Sequence, residues 1–121
     1  MRTLRLLLVD DCLEFRRLLA RLLRRPGYQV VGSVASGEEA LAALAGSAPD
    51  VVILDLAMAG LGGLETAKQI RREHAGIKIV ILSLHSTPEY RAAAAAVGVH
   101  AYVCKANLVP ELPVALAELC A

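Results

Sequence analysis

Four short apolar runs in this chain end on side chains of very different chemistry: Val9 on Asp10 and Asp11, Leu54 on Asp55, Leu82 on Ser83, and Val103 and Cys104 on Lys105. If all four runs are parallel strands of one sheet, these side chains gather at a single edge, because the ligand crevice of an open α/β sheet lies outside the carboxyl ends of its strands. Carboxylates, a hydroxyl and an ammonium in one pocket suit a divalent metal together with phosphate. The acidic members impose the strongest constraint. Two like charges about 4 Å apart repel by roughly 4 kcal/mol at an effective dielectric near 20, so Asp10, Asp11 and Asp55 cannot all stay ionised side by side without a cation. Magnesium meets that need, taking one or two carboxylates plus waters and a phosphate oxygen. Asp11 and Asp55 are then the direct ligands, Asp10 acts through water, and the backbone carbonyl of Ala57 supplies a further oxygen.

Each of these residues also has a plainer role when taken singly. Asp10 and Asp11 can be helix caps, since an aspartate just before a helix is a common N-cap. Ser83 reads as a strand-end hydroxyl bonded to its own backbone, Lys105 as a surface lysine and Tyr102 as a half-buried aromatic. Only the constellation gives them a shared task. His74, His85 and His100 show no ligand spacing and are assigned to no metal, although His85 can line the mouth of the pocket.

Strand and helix patterns alternate along the chain, the signature of βαβ crossovers and a parallel sheet. Strands are expected at Arg5 to Val9, Gln29 to Val34, Val51 to Leu54, Lys78 to Leu82 and Ala101 to Cys104. The helix expected over Cys12 to Arg25 places Phe15, Leu18, Leu19, Leu22 and Leu23 on one face and Arg16, Arg17, Arg21, Arg24 and Arg25 largely on the other, with Pro26-Gly27 ending it. The run Ser36-Gly37-Glu38-Glu39 fits a capping box opening a helix over Ala40 to Ala45, stopped near Gly46. A glycine-rich loop at Gly60, Gly62 and Gly63 leads into a helix over Leu64 to His74 with Gly76 as its cap, and Pro88 to Val97 forms a helix closed by Gly98. Pro113 removes a backbone donor, so the regular part of the last helix is expected to begin only there.

One domain spanning residues 1–121 is expected from the length. A 56% apolar composition and a formal charge of +1 point to a packed globule, not to disorder or a polyanion-binding surface. The apolar run Leu6 to Val9 is far too short for a signal-peptide core or a membrane span, so the expected location is the cytoplasm, without membrane or direct nucleic-acid contact. Cys12, Cys104 and Cys120 are odd in number and match no metal spacing, which suits reduced thiols.

In order and position these residues resemble the receiver domain of two-component response regulators: Asp10-Asp11 after the first strand, Asp55 through Gly63-Leu64-Glu65 after the third, Ser83 after the fourth, then Tyr102 and Lys105 at the fifth. The resemblance implies a flavodoxin-like, doubly wound five-stranded parallel sheet in the order 2-1-3-4-5. It further implies a phosphoacceptor at Asp55, magnesium held by Asp10, Asp11 and Asp55, a phosphoryl-sensing hydroxyl at Ser83, a charge partner at Lys105 and a switch aromatic at Tyr102. The implied donor is a sensor histidine kinase, and the domain is a phosphoacceptor signalling module, not an enzyme, that assists its own phosphorylation and dephosphorylation. The stretches Ile81 to His85 and Val97 to Lys105 are similar to receivers that carry a LuxR-like helix-turn-helix module, which implies a transcriptional output from a C-terminal DNA-binding domain outside this chain. The expected readout is a switch of the surface formed by the fourth helix, fifth strand and fifth helix, in self-association that favours a symmetric homodimer or in contact with an output domain; a stand-alone receiver acting by docking is the alternative. Ala59 and Ala106 stand where the family commonly has proline, and a non-proline cis bond after Lys105 would cost roughly 3 kcal/mol.

Two other classes share parts of this pattern. A phosphatase of the haloacid-dehalogenase type would want a second aspartate two residues after the nucleophile, where Ala57 stands. A flavodoxin-like flavin carrier would want a hydroxyl- and glycine-rich loop after the first strand and aromatics against the ring. Here that loop is acidic, and the chain has one Phe, three Tyr and no Trp.

Overall fold

The computed structural model describes residues 3–58, 60–85 and 87–120, with Cys120 by its backbone only. In chain order its elements are β1 (Leu4–Val9), α1 (Leu13–Leu22), β2 (Tyr28–Val34), α2 (Gly37–Ser47), β3 (Val51–Asp55), α3 (Gly63–Glu73), β4 (Lys78–Ser83), α4 (Pro88–Val97), β5 (Ala101–Cys104), a 3-10 turn over Lys105–Asn107, and α5 (Leu108–Cys120). All strand pairs are parallel and the sheet order is β2-β1-β3-β4-β5. The continuous apolar run of β3 is buried on both faces, as a central strand between two helix layers must be.

Alternation along the strands sorts side chains into two cores. Leu6, Leu8, Val51, Ile53, Val80, Leu82 and Val103 pack with Leu19 and Leu23 near α1 and with Leu108, Leu112 and Leu116 of α5. Leu7, Val9, Val52, Leu54, Ile79 and Ile81 pack on the other side with α2, α3 and α4 through Ala40, Leu44, Ala67, Ile70 and Ala94. The sheet is thereby clamped with every strand terminus of interest at one edge.

Four helices differ at their ends from the sequence expectation. α1 stops at Leu22, three residues early, because Arg25 precedes Pro26 and such a residue is pushed out of the helical region. α2 starts at Gly37, directly after the Ser36 cap, and runs through Gly46 to Ser47. It ends on Ala48 in a left-handed conformation (φ 44°). The Arg5 guanidinium donates to the Ser47 and Ala48 carbonyls at 2.6 and 3.1 Å, which satisfies that helix end and sets a cation against its negative pole. α3 gives way at His74, and Gly76 is not among the left-handed glycines, which are Gly27, Gly60 and Gly98. α5 begins at Leu108 and carries Pro113 inside it. Proline in a helix costs about 3 kcal/mol, yet Leu108, Leu112 and Leu116 recur every four residues, all buried, and burying each is worth roughly 1.5–3 kcal/mol. Packing wins. The Lys105–Ala106 bond is trans, while Ala59 and the Cys120 thiol lie outside the described residues.

Candidate functional site

The carboxyl ends of β1, β3, β4 and β5 converge as expected. Pairing of β1 with β2 continues one residue past the strand, with the Asp10 N–H donating to the Val34 carbonyl at 3.1 Å, and this carries the Asp10 side chain inward until it is 1% exposed. Its Oδ1 accepts the Cys12 N–H at 2.8 Å, and its Oδ2 accepts Lys105 Nζ at 2.8 Å. Cys12, not either aspartate, occupies the N-cap of α1, so the capping role for Asp10 and Asp11 does not apply. Asp10 instead folds the loop into α1 by a short side-chain-to-backbone bond. Asp11 is exposed.

Asp55 closes β3 and is 6% exposed, with its Oδ1 at 3.1 Å from Lys105 Nζ. The start of α3 is pressed onto this strand end: the Gly63 N–H donates to the Leu56 carbonyl at 3.1 Å, and a Cβ on Gly63 would lie 2.2 Å from the Asp55 carbonyl oxygen. Only glycine fits there. Ala57 is exposed in the loop between β3 and α3, and that loop is tied to α2 where Glu38 Oε1 accepts the Leu61 N–H at 3.1 Å.

Ser83 ends β4, 1% exposed, and its Oγ accepts the His85 N–H at 2.9 Å. The Ser83 hydroxyl hydrogen remains available to an acceptor entering the pocket. Tyr102, half-buried in β5, donates its hydroxyl to the His85 carbonyl at 2.6 Å, and the Arg91 guanidinium lies 4.8 Å from its ring centroid. His85 is exposed and stacks on Tyr90 at 4.8 Å, so it belongs to the loop at the pocket's edge.

The Lys105 ammonium pairs with Asp10 and Asp55, and carboxylate oxygens of Asp10, Asp11 and Asp55 all lie within 4.8 Å of one another. Burial pushes the Asp55 carboxyl above the ordinary carboxylate range, the Asp10 charge pushes it further, and Lys105 offsets only part of this. For Lys105 burial acts downward, but the hydrogen bond to Asp10 and the charges of Asp55 and Asp10 outweigh it, so the ammonium is held more firmly than usual. Hard oxygen donors, crowded and under-neutralised, fit a magnesium ion. Both Asp10 oxygens already have donors, which leaves Asp11 and the second oxygen of Asp55 with open lone pairs.

Two contributors escaped the sequence reading. Helical periodicity puts Arg16 on the face of α1 opposite the apolar one, but its Nη1 donates to the Asp10 carbonyl at 2.6 Å and its Nε to Ser33 Oγ at 2.9 Å, bracing the first acidic residue. Periodicity puts Phe15 on the helix's apolar face, and Lys105 Nζ sits 4.1 Å from its ring centroid. The signal in the sequence is that Phe15 and Arg16 follow Cys12, the N-cap of α1, by three and four residues, which returns both to the side of the helix where the acidic pair leads in.

The family model described as the response regulator receiver domain matches residues 6–117. Response regulator UvrY of Escherichia coli is 37% identical over 100 residues, covering 82% of this chain and 46% of UvrY. The chain thus spans about half the length of such curated relatives. Two solved structures are similar over 98% of the chain. A LuxR-family two-component response regulator from Aurantimonas sp. has a TM-score of 0.86 at 35% identity, with 86% of that chain covered. A LuxR-family DNA-binding response regulator from Staphylococcus aureus has a TM-score of 0.90 at 28% identity, with 99% of that chain covered.

Proposed function

The chain belongs to the response-regulator receiver family, and from that premise we propose that Asp55 accepts a phosphoryl group from a sensor histidine kinase and that the resulting charge resets the surface of α4, β5 and α5. The observation that carries this reading is Lys105 bridging Asp10 and Asp55 at 2.8 and 3.1 Å beside the buried Ser83 hydroxyl. One cation thus lies against the Asp55 carboxylate, and one hydroxyl ends the neighbouring strand β4. Asp11, Asp55 and the Ala57 carbonyl would hold magnesium, with Asp10 in the outer position. When bound, the ion would neutralise charge on the transferring phosphoryl group.

An Asp55 carboxylate oxygen attacks phosphorus, the P–N bond of the kinase phosphohistidine breaks, and the electron pair of that bond remains on the imidazole. Catalysis here is positioning plus electrostatics. Lys105 contributes fixed positive charge, and Ser83 donates to an equatorial oxygen. The acyl phosphate brings further negative charge and three strong acceptor oxygens into the pocket. Ser83 drawn toward it carries His85 along, and with His85 the carbonyl that anchors Tyr102. This is a two-state element of the kind a switch requires.

The Staphylococcus aureus neighbour, a DNA-binding response regulator, supports a transcriptional output through a further domain; docking of a receiver on its own is the rival. Among the described residues no helix is long and apolar enough to cross a membrane, which accords with a cytoplasmic partner for a kinase. Incubation with acetyl phosphate and magnesium should add one phosphate to the intact mass, and Asp55→Asn should abolish it. Equal labelling of that variant would overturn the assignment.

A further inference from the structure

Phe15 stands where its ring acts on Lys105 as well as on the core. It lies half-buried on α1, and Lys105 Nζ is 4.1 Å from its centroid while also 2.8 Å from Asp10 Oδ2 and 3.1 Å from Asp55 Oδ1. A lysine ends a flexible four-carbon stem whose ammonium is strongly hydrated, so two carboxylates alone do not fix it. The negative face of an aromatic ring attracts an ammonium within about 6 Å of its centroid, more strongly where water is excluded. The Lys105 side chain is 13% exposed, which meets that condition.

Resting on the reading of Asp55 as phosphoacceptor, we infer that Phe15 is a positioning residue of this site: its ring face holds Lys105 Nζ between Asp10 and Asp55, so that the cation is in place before the phosphoryl group arrives. Charge placed in advance needs no reorganisation during transfer. The ring is the one aromatic against this ammonium among the described residues, and it comes from a different layer element than either carboxylate. It therefore couples the seating of α1 to the reactivity of β3.

The test is a series of mono-, di- and trifluorinated phenylalanines at position 15, which drain negative potential from the ring face while nearly preserving its shape. Phosphorylation by acetyl phosphate with magnesium, followed by intact mass, should slow stepwise to about three- to tenfold, the span expected for a partly desolvated cation–π contact. Phe15→Tyr should retain the parent rate. In Lys105→Met, with no cation over the ring, the same series should be flat. A flat series with Lys105 present, or an equal slope in Lys105→Met, would overturn the inference. The ε-methylene proton resonances of Lys105 report the contact without any phosphorylation, being ring-shifted in the parent and not in Phe15→Leu. Loss of that difference would overturn the role of Phe15 and leave Asp55 untouched; a ring-shifted Lys105 in a parent that takes no phosphate would overturn Asp55 as acceptor and the inference with it.

Discussion

The Tyr102 hydroxyl donates to the His85 carbonyl at 2.6 Å, so the aromatic of β5 is fastened to the loop that follows β4. Through the His85 N–H, bonded to Ser83 Oγ at 2.9 Å, that same loop is fastened to the floor of the acidic pocket. Tyr102 is thereby linked to Ser83 through one residue. On the proposed role of its hydroxyl as phosphoryl sensor and not nucleophile, Ser83→Ala should still be phosphorylated at Asp55 but should lose the relay. NMR shifts around Tyr102 on phosphorylation should be large in the parent and small in the variant. Equal shifts in both would remove Ser83 from the relay.

The metal prediction follows from which oxygens are free. Both Asp10 oxygens hold donors, whereas Asp11 is exposed. Asp10→Ala should weaken magnesium binding by no more than about tenfold, at the low end for outer-shell partners, and Asp11→Ala should weaken it further. Without metal, ionised Asp55 is a net cost to folding, since burial and the Asp10 charge raise its pKa. The sign is that of an acid raised on folding: stability is lost as pH rises through the folded pKa. Asp55→Asn should accordingly raise the melting temperature in chelator at neutral pH, and magnesium should narrow the gap. Calorimetry of both proteins with and without the ion checks the direction.

Gly63 is predicted to be irreplaceable for steric reasons. A Cβ there would collide with the Asp55 carbonyl oxygen at 2.2 Å and with Leu56 atoms at 2.8 Å, all of them backbone, which cannot rotate away. Overpacking costs about 1–3 kcal/mol, so Gly63→Ala should lie toward the upper end of that range in denaturant unfolding. It should also slow phosphorylation by displacing the strand end that aims Asp55. A variant of parental stability and rate would show that α3 can shift freely.

The strand ends were legible because apolar runs stop abruptly at polar residues, and a parallel sheet converts that pattern into one pocket. Asp10, Asp55, Ser83 and Lys105 were all placed together on that logic alone. The helix boundaries were less legible, because tertiary partners decided them. Arg5, far along the chain from Ala48, supplies the donors that let α2 pass Gly46, and the buried leucines of α5 override Pro113. Arg16 and Phe15 were hidden for the same reason. Both sit on the border of an amphipathic helix, where periodicity assigns a face but not a partner.

His100 gives the pH dependence outside the pocket. Its Nδ1 accepts the Ile79 N–H at 3.0 Å, and its own N–H donates to the Ile79 carbonyl at 2.8 Å. Burial lowers its pKa, and the charges of Lys78 and Arg71 lower it further. A histidine lowered on folding contributes stability that is present above its ordinary value of about 6.5 and lost as pH falls through the folded value. The parent should lose more stability between about pH 7 and pH 5 than His100→Asn, whose amide oxygen can still accept from Ile79. Parallel unfolding curves for the two across that range would exclude His100 as the cause.

The surface that phosphorylation should expose is already furnished for contact. On α4 only Ala94 is buried, which leaves Ala92, Ala95 and Ala96 outward with small side chains that lose little entropy on close approach. Leu84 and Tyr90 are exposed apolar residues bordering the Ser83 loop, and Val114 is exposed on α5. On the proposed switch, movement of Ser83 and Tyr102 would alter this surface beside Leu84 and Tyr90. The expected result is a symmetric pair in the activated state, because a self-complementary face closes most simply with two-fold symmetry. Sedimentation with and without beryllofluoride plus magnesium should show a monomer converting to a dimer, with Tyr102→Phe shifting the midpoint by uncoupling the loop. Fluorine NMR on the same samples establishes that the analogue is bound. A bound analogue with an unchanged monomer over a wide concentration range would mean that the readout is docking to a different partner, not pairing of two copies of this chain.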